Sequence, residues 1–265
     1  MNQLEAGMKP VILRGVVMLV FALCAGVCAA DEARKILGEM ESRHRTKTQE
    51  YTGDLVVVSK EGKERRKGWR SFRVGFAGDA KQLIRFTDPP EVRGVGFLSV
   101  GRPAGTPDQW LYLPSMKRER RIASQDRESS FVGTDFSYED MEEFDHTKYE
   151  VAQLADITLD GQPCLVIEAR PKERSAYERR ILTIRKDILF MVRGEAFRKG
   201  EKDPAKRLVF SDIQQIDGRW VARKMEMLDL RKGSRTTVLL KGIAFDKPQP
   251  ADRFTLQNLN REGGE

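Results

Sequence analysis

Histidine and cysteine are scarce in this sequence of 265 residues, which contains two histidines and three cysteines. Cys24 and Cys28 lie in an apolar N-terminal stretch, so Cys164 stands alone in the rest of the chain and no disulfide can form within it. Neither a Gly-x-Ser-x-Gly nor a His-Glu-x-x-His sequence occurs, which argues against the commonest serine hydrolases and zinc peptidases. We therefore expect that the protein is not an enzyme and has no catalytic residue, no cofactor and no metal site.

Apolar runs long enough to cross a membrane are also missing. The run Gly15–Ala25 is about half as long as the roughly twenty residues that a spanning helix needs. Basic residues precede this run and small residues follow it, which is the order of a secretory signal peptide. The sequence therefore predicts an exported protein whose signal peptide, residues 1–30, is cleaved after Ala29 or Ala30. An uncleaved N-terminal anchor helix is the alternative.

A strong excess of one charge is absent. The chain carries 47 Lys and Arg against 40 Asp and Glu, a formal net charge of +7, and both signs are spread along it. In the most basic run, Lys60–Lys67, Glu61 and Glu64 interrupt the positive charges, and we interpret the run as a charged strand edge that opposes aggregation. We expect no nucleic acid partner. The modest positive charge favours transient contact with an anionic membrane surface or with an acidic partner.

Short β patterns fill the chain after the signal peptide. Residues 31–44 have the apolar spacing of one amphipathic helix, and the strand patterns that follow are separated by turn signals such as Asp160-Gly161 and Asp217-Gly218. The predicted strands are Tyr51–Ser59, Trp69–Phe76, Lys81–Phe86, Val95–Val100, Gln109–Leu113, Arg118–Ala123, Val151–Leu159, Cys164–Ala169, Tyr177–Arg185, Ile188–Phe197, Leu208–Ile216, Trp220–Leu230 and Arg235–Phe245.

The alternation within these strands predicts the fold class. Apolar and polar side chains alternate in Arg180–Arg185 and in Lys224–Leu230, which is typical of an antiparallel sheet with one face toward water. A sheet of about a dozen strands must curl, because twist accumulates from strand to strand. We predict a mainly β protein, in which residues 31–265 form one domain. Its core is a large curved antiparallel sheet, or unclosed β-barrel, with an N-terminal helix and a concave face that wraps a helix, side chains or a ligand.

The middle of the chain, at about residues 124–145, lacks strand alternation but is rich in aromatic residues. Irregular stretches of this length in compact domains are usually functional. Ser137 is placed to cap a short helix that begins at Tyr138. We predict a central helical lid over the mouth of the sheet. A helix that only fills this mouth is the alternative.

Three motifs in this region resemble a known family. They are Trp110-Leu-Tyr-Leu-Pro114, Arg120-Arg-Ile122 and Phe131-Val-Gly-Thr-Asp-Phe-Ser-Tyr-Glu-Asp140. They are similar to the outer-membrane lipoprotein-sorting proteins, and more closely to the LolA-like branch that is often associated with resistance-nodulation-division (RND)-type exporters. The resemblance implies a periplasmic protein with an unclosed antiparallel β-barrel and a helical lid over an apolar cavity. Relatives of this fold carry acylated proteins or sense envelope stress.

Candidate site residues follow from the lid and from the exposed aromatic residues of the sheet. Aromatic and methionine side chains suit variable acyl chains, because they present flat faces or repack. The candidates for the cavity and the lid are Trp69, Trp110, Tyr112, Phe131, Phe136, Tyr138 and Met141. The candidates for a lid latch or for headgroup binding are Arg120, Arg121, Asp135, Glu139 and Asp140, with the two arginines paired to the three acids when the lid is closed.

The function predicted from these features is a periplasmic carrier or chaperone for the acyl chains of lipoproteins or for phospholipid. It would serve outer-membrane sorting or export, with an RND-type exporter or an outer-membrane acceptor as its partner. Because each buried methylene contributes about 0.8 kcal/mol, two full acyl chains would bind too tightly unless lid residues fill part of the empty cavity. A lipid-sensing regulatory or adaptor module for an envelope membrane protein is the alternative, and a lipid hydrolase is the third possibility.

Overall fold

A computed structural model describes residues 30–261, so residues 1–29 of the predicted signal peptide lie outside the described part of the chain. Residues 30–44 form the helix α1, which confirms the predicted N-terminal helix. Among the described residues, no helix is both long enough and apolar enough to span a membrane.

Within residues 30–261, thirteen strands form one antiparallel sheet, and each predicted strand overlaps one of them. The strands are β1 (Thr48–Val58), β2 (Glu64–Val74), β3 (Lys81–Asp88), β4 (Gly96–Val100), β5 (Asp108–Leu113), β6 (Arg118–Arg121), β7 (Tyr149–Leu159), β8 (Gln162–Pro171), β9 (Arg179–Arg185), β10 (Phe190–Phe197), β11 (Lys206–Ile216), β12 (Arg219–Asp229) and β13 (Ser234–Phe245).

The order of the strands leaves the sheet open. It runs β6-β5-β4-β3-β2-β1-β13-β12-β11-β10-β9-β8-β7, so neighbours in the sheet are neighbours in the chain except where β1 pairs with β13. Two of the predicted hairpin turns have the positive φ angles of a two-residue connection, with 49° and 76° at Asp160-Gly161 and the same values at Asp217-Gly218. The edge strands are β6 and β7, and residues 122–148 lead from one edge to the other.

The inner face of the sheet is covered by two different elements. Helix α1 places Ala33, Ile36 and Leu37 against the apolar side chains of β7, β8 and β9. The segment 122–148, which we call the lid, covers the inner face of the other half, where strands β1–β5, β12 and β13 contribute a second apolar cluster. The predicted helical lid consists of single 3-10 turns, at Ser124–Asp126, Glu139–Met141 and His146–Lys148.

The outer face of β3, β4 and β5 is covered as well. After β13 the chain forms a 3-10 turn, Ala251–Phe254, and the short helix α2, Leu256–Leu259. Phe254 and Leu259 pack on Leu83 and Leu98 of the sheet. The sequence gives little sign of this cover, because two four-residue elements are too short to show a helical period.

Helix α1 should depend on Leu37, whose side chain is only 1% exposed. We expect Leu37→Ala to lower the free energy of unfolding by about 3 kcal/mol, because it leaves a cavity between the helix and the sheet. Urea denaturation followed by circular dichroism measures the change. The matched control is Lys35→Ala on the exposed side of the helix, which should cost no more than about 0.5 kcal/mol. Equal losses in the two variants would contradict this packing.

Candidate functional site

The centre of the inner face is filled by aromatic residues of the lid. Phe131 is 2% exposed, and its ring centroid lies 5.0 Å from that of Phe97 on β4 and 5.7 Å from that of Tyr138. Phe86 on β3 lies 6.0 Å away. The edge-on contacts with Phe97 and Tyr138 are a favoured geometry for aromatic pairs. The lid is therefore a plug, since its own side chains occupy the space that the sheet encloses.

The other predicted lid residues pack on the same cluster. Phe136 and Met141 are half-buried against it, and Trp69 of β2 lies within it at 9% exposure. The backbone N–H of Phe131 donates to the carbonyl oxygen of Phe136 at 2.8 Å, which closes a compact loop at the tip of the lid. These four residues, with Tyr138, form one apolar group.

Trp110 and Tyr112 lie elsewhere. Both are on β5, but they contact the outer cluster beneath Phe254 and Leu259, while Leu111 of the same strand faces the inner cluster. Alternation along β5 separates the two aromatic residues from the plug. The structure therefore does not bring them together with the lid residues.

The tip of the lid is held against the sheet by a buried ammonium group. Lys67 on β2 is 8% exposed and donates to the carbonyl oxygen of Val132. Burial, and then the charge of Arg65, lowers the pKa of Lys67. Val132 has a φ of 47°, which is uncommon for a β-branched residue, and Gly133 follows with a φ of 70°. The tight turn directs the Val132 carbonyl group toward Lys67.

A second contact joins the lid to the central strand β13. Asp135 is 5% exposed and accepts hydrogen bonds from the hydroxyl groups of Ser234, at 2.5 Å, and Thr236, at 2.6 Å. The Asp135 backbone N–H also donates to the Thr236 hydroxyl at 2.9 Å. The carboxylate is thus held by neutral donors rather than by an arginine.

A third contact is a buried ion cluster around the 3-10 turn Glu139–Met141. Asp140 accepts from the Lys206 ammonium of β11 at 2.7 Å and from the Tyr177 hydroxyl at 3.0 Å, and the Arg180 guanidinium of β9 lies 3.8 Å away. Burial alone would raise the pKa of Asp140, but Lys206 and Arg180 outweigh it and hold the pKa below its usual value. Burial, reinforced by Asp140, raises the pKa of Tyr177.

Glu139 extends this cluster toward the segment that follows β8. Its carboxylate accepts from the Ser175 hydroxyl and from the Ala176 backbone N–H, the latter at 3.0 Å, and Arg180 lies 3.7 Å away. The neighbouring Glu142 accepts two hydrogen bonds from Arg127 at 2.8 and 2.9 Å. Glu139 and Asp140 are therefore fixed by β9, β11 and the chain around residue 175, whereas Glu142 is fixed by Arg127 of the lid itself.

The predicted latch arginines do not pair with Asp135, Glu139 or Asp140. Arg121 pairs with Asp108 at the start of β5, and Arg120 lies 3.8 Å from Asp126, near the start of the lid. Both arginines are exposed on the short edge strand β6, whereas the lid acids point toward β9, β11 and β13. The correct partners belong to distant strands, so nothing in the local sequence points to them.

Beside the plug, an apolar groove lies open between α1 and the sheet. It consists of two adjoining cavities of about 280 and 220 Å³, which share His44, Gln49, Phe190 and Phe210. Their combined volume lies in the lower half of the usual range for ligand pockets. The further side chains that line the groove include Met40, Tyr51, Phe76, Met191, Val221, Met225 and Phe245. The sequence prediction named none of these residues.

Two polar side chains of the groove, Tyr51 and His44, are partly shielded from water. Burial raises the pKa of Tyr51 to about 12. His44 is half-buried: its Nε2–H donates to the Leu189 carbonyl oxygen at 3.0 Å, its ring packs edge-on against Phe190, and burial lowers its pKa. A neutral His44 thus lines an apolar site, although its sequence neighbours Arg43 and Arg45 suggest a solvated side chain. Within residues 30–261, no cluster of His, Cys, Asp and Glu could hold a metal ion.

Comparison with known proteins identifies the family. A family model whose description reads "Uncharacterized protein" matches residues 78–261, which include the lid and the outer cover. A solved domain from Vibrio parahaemolyticus, described as an outer membrane lipoprotein-sorting protein, is 27% identical with a TM-score of 0.83; the match covers 88% of this chain and 100% of that domain. The chain belongs to the family of this model and has the fold of the lipoprotein-sorting domain.

Two further solved structures show how far the fold of the family extends. A DUF1329 family protein from Desulfovibrio piger is 24% identical with a TM-score of 0.83, and the match covers 87% of this chain and 99% of that one. A LolA superfamily protein from Nitrosomonas europaea is 18% identical with a TM-score of 0.68, and the match covers 84% and 97%. No sequence among the curated proteins matches the chain. The resemblance in the lid motifs and the predicted fold class are thus confirmed.

The lid of this family member should depend on the Lys206–Asp140 pair, whose side chains are 11% and 4% exposed. We expect Lys206→Met to lower the free energy of unfolding at neutral pH by about 3 kcal/mol, because it leaves a buried carboxylate with less compensation. Because pairing depresses the folded-state pKa of Asp140, the stabilisation is present above the unfolded pKa and fades as the pH falls below about 4. The difference between the two proteins, measured by urea denaturation, should shrink accordingly.

The control for this experiment is the same substitution in an exposed ion pair. Lys224 on β12 is 40% exposed and lies 3.0 Å from Glu226. Lys224→Met should cost less than about 1 kcal/mol. A loss in Lys206→Met no larger than in Lys224→Met would contradict the role of the buried pair.

Proposed function

We propose that the protein is a periplasmic carrier that holds the acyl chains of lipoproteins or phospholipid on the inner face of its sheet, for outer-membrane sorting or export. The observation that carries this proposal is the aromatic plug of the lid, placed beside an open apolar groove. Phe131 and Tyr138 belong to a connection with three single 3-10 turns rather than to the sheet. Their rings can therefore leave the hollow without the loss of any pairing between the thirteen strands.

The groove supplies a place where hydrocarbon can enter before the lid moves. Phe190, Phe210 and Met225 line it on β10, β11 and β12, and the cluster around Phe131 lies on the same face of the sheet. The groove and the inner cluster adjoin each other in the sheet, because Met225 of the groove pairs with Val238, and Val238 pairs with Leu55 of the inner cluster. An acyl chain that starts in the groove can therefore extend beneath the lid.

A carrier must not bind its cargo so tightly that it cannot release it. Exchange between the aromatic plug and the cargo would limit the affinity. Burial of hydrocarbon contributes about 0.8 kcal/mol per methylene, so a chain bound in an empty hollow would be released too slowly. In this protein the incoming chain has to displace aromatic rings that are already buried there. The net gain is the difference between two similar burials, which leaves binding reversible.

The contacts that close the lid suit the same exchange. At the tip they are hydrogen bonds that Lys67 donates to Val132 and that Ser234 and Thr236 donate to Asp135. Each has one charged partner and contributes a net ~1.5–3 kcal/mol. The stronger cluster at Asp140 lies at the other end of the plug, next to the start of β7. We infer that the tip around Val132 opens first and that the Asp140 cluster acts as the fixed end.

Carriage without catalysis is part of this proposal. Relatives of the fold are described as sorting proteins, and the carboxylates of the lid that could serve as acid or base are held by ion pairs or hydroxyl groups. Hydrolysis of a lipid would need a free nucleophile near the groove. The groove is lined mainly by aromatic and methionine side chains, and its carboxylates Glu41 and Glu143 are paired with Arg45 and Arg73.

The groove can be blocked to test cargo binding. Ala222 is 4% exposed and lines the smaller cavity. Ala222→Phe should fill much of it, so we expect binding of the fluorescent fatty acid cis-parinaric acid to weaken by at least about tenfold, as expected for about two buried methylenes. Ala155→Phe, on the exposed edge strand β7, is the matched control and should bind like the parent protein. Equal affinity in all three proteins would contradict cargo binding in the groove.

The plug can be removed to test the exchange. In Phe131→Ala/Phe136→Ala the hollow loses its own filling, so we expect tighter retention of copurified phospholipid and slower transfer to acceptor vesicles. The free energy of unfolding of the lipid-free protein should fall by about 3–5 kcal/mol, the usual loss for a buried phenylalanine. Mass spectrometry of solvent extracts and a vesicle transfer assay measure these effects. An absence of lipid in both the parent protein and the variant, after purification from a periplasm, would contradict the carrier proposal.

A further inference from the structure

The turns at the two ends of the sheet differ in charge. At one end lie the six turns that connect β1–β2, β3–β4, β5–β6, β8–β9, β10–β11 and β12–β13, which we call the basic rim; they span residues 59–63, 89–95, 114–117, 172–178, 198–205 and 230–233. These turns contain eleven Lys and Arg against six Asp and Glu, a net charge of +5. The five turns at the opposite end, which include the edge of the groove, contain two Lys and Arg against four Asp, a net charge of −2.

Two turns of the basic rim also carry exposed apolar side chains. Met116, at the β5–β6 turn, is 51% exposed, and Leu230, at the β12–β13 turn, is 40% exposed. Each is followed by two basic residues, in Met116-Lys-Arg118 and Leu230-Arg-Lys232. Large apolar residues at the tips of hairpins do not contribute to the core. Their repetition with the same basic neighbours indicates a common use.

The tip of the lid faces the same end of the molecule. A polar cavity of about 390 Å³ opens there, between Ser130 and Thr134 of the lid and Arg198, Arg231 and Lys232 of the rim. Lys60 of the β1–β2 turn lies close to Gly233 of the β12–β13 turn, so the basic turns adjoin one another. The basic rim and the opening part of the lid therefore form one surface.

We propose that the basic rim docks the protein on a bilayer surface that contains anionic lipid, with Met116 and Leu230 inserted at the boundary of headgroups and acyl chains. Each cation near such a surface strengthens binding by about fivefold. Apolar tips flanked by lysine and arginine match this boundary, because the tips reach hydrocarbon while the ammonium and guanidinium groups stay among the phosphates. Docking in this orientation brings the lid tip to the membrane.

A bilayer fits these observations better than an acidic protein. A protein partner is bound through a packed patch with a buried centre. Met116 and Leu230 belong to turns at β5–β6 and β12–β13, and four strands of the sheet lie between these two hairpins. Two separate apolar points on a basic rim can both contact a fluid surface without a matching shape. The docking does not require cargo in the hollow. The docking proposal can therefore fail while the carrier function holds, and the carrier function can fail while the protein still docks on a bilayer.

Cosedimentation with vesicles tests the proposal. The full chain is expressed, and the exported protein is mixed with vesicles of phosphatidylethanolamine and phosphatidylglycerol or with vesicles of phosphatidylcholine alone. We expect binding to the anionic vesicles that weakens with added salt, and at least about tenfold weaker binding to the neutral ones. Equal binding to both kinds of vesicle would overturn the proposal. Binding to neither would also overturn it, even if the protein bound an acidic protein instead.

Two pairs of matched variants assign the surface. Met116→Ser/Leu230→Ser removes the apolar tips, and its control, Leu154→Ser/Ile157→Ser, alters residues of similar exposure on β7, away from the rim. Lys60→Glu/Lys117→Glu reverses charge on the rim, and its control, Lys81→Glu/Lys247→Glu, reverses charge at the opposite end. The rim variants should bind anionic vesicles at least about tenfold more weakly, and the controls should stay within about twofold of the parent protein. All four lie at exposed sites, and unchanged thermal unfolding confirms that they fold. Rim variants that bind like their controls would contradict the assignment.

Discussion

The sheet has two edges that do not pair, and the rest of the structure follows from this. A curved sheet of thirteen strands carries a large apolar inner face, and because β6 and β7 remain apart, that face has to be covered by elements outside the sheet. Helix α1 covers the half formed by β7–β9, and the lid covers the half that contains β1–β5. The groove at Phe190 and Phe210 is the region between these two covers.

The lid combines two kinds of interaction that play different roles. The rings of Phe131 and Tyr138 provide apolar burial, which has little directional preference. The contacts of Asp135, Asp140 and Lys67 are directional and buried, so any displacement leaves a polar group without its partner. Buried ionic groups often add little net stability. In this lid their effect is to define one closed position for a plug that apolar burial alone would leave free to slide.

Much of the fold could be predicted from local patterns. Alternation located the strands, and Asp-Gly pairs located hairpin turns such as Asp160-Gly161, because both depend on residues that are close in sequence. The inner and outer faces of β5 were harder to predict. Alternation separates Trp110 from Leu111 but does not say which side is inner, and here both sides are covered, since the C-terminal segment packs on the outer one.

The site was predicted less completely, for reasons of sequence distance. The plug residues Phe131 and Tyr138 were found because an aromatic-rich irregular segment is unusual in a β protein. The partners of Asp135 and Asp140 were missed because they are far away in the sequence. Thr236 on β13 lies 101 residues from Asp135, and Lys206 on β11 lies 66 residues from Asp140. The groove was missed because its side chains look like ordinary strand residues until the position of α1 leaves them uncovered.

The attachment of the lid at both ends has a mechanical consequence. Residues 122–148 join the last residue of β6 to the first residue of β7, so the lid is a strap whose anchor points are the two margins of the gap it closes. Fully extended, this strap would reach about 90 Å, many times the spacing of about 5 Å between neighbouring strands. The slack allows it to bulge outward without any strand separating from its neighbour. The hollow can therefore change its depth at the lid while the hydrogen-bonded sheet keeps its width.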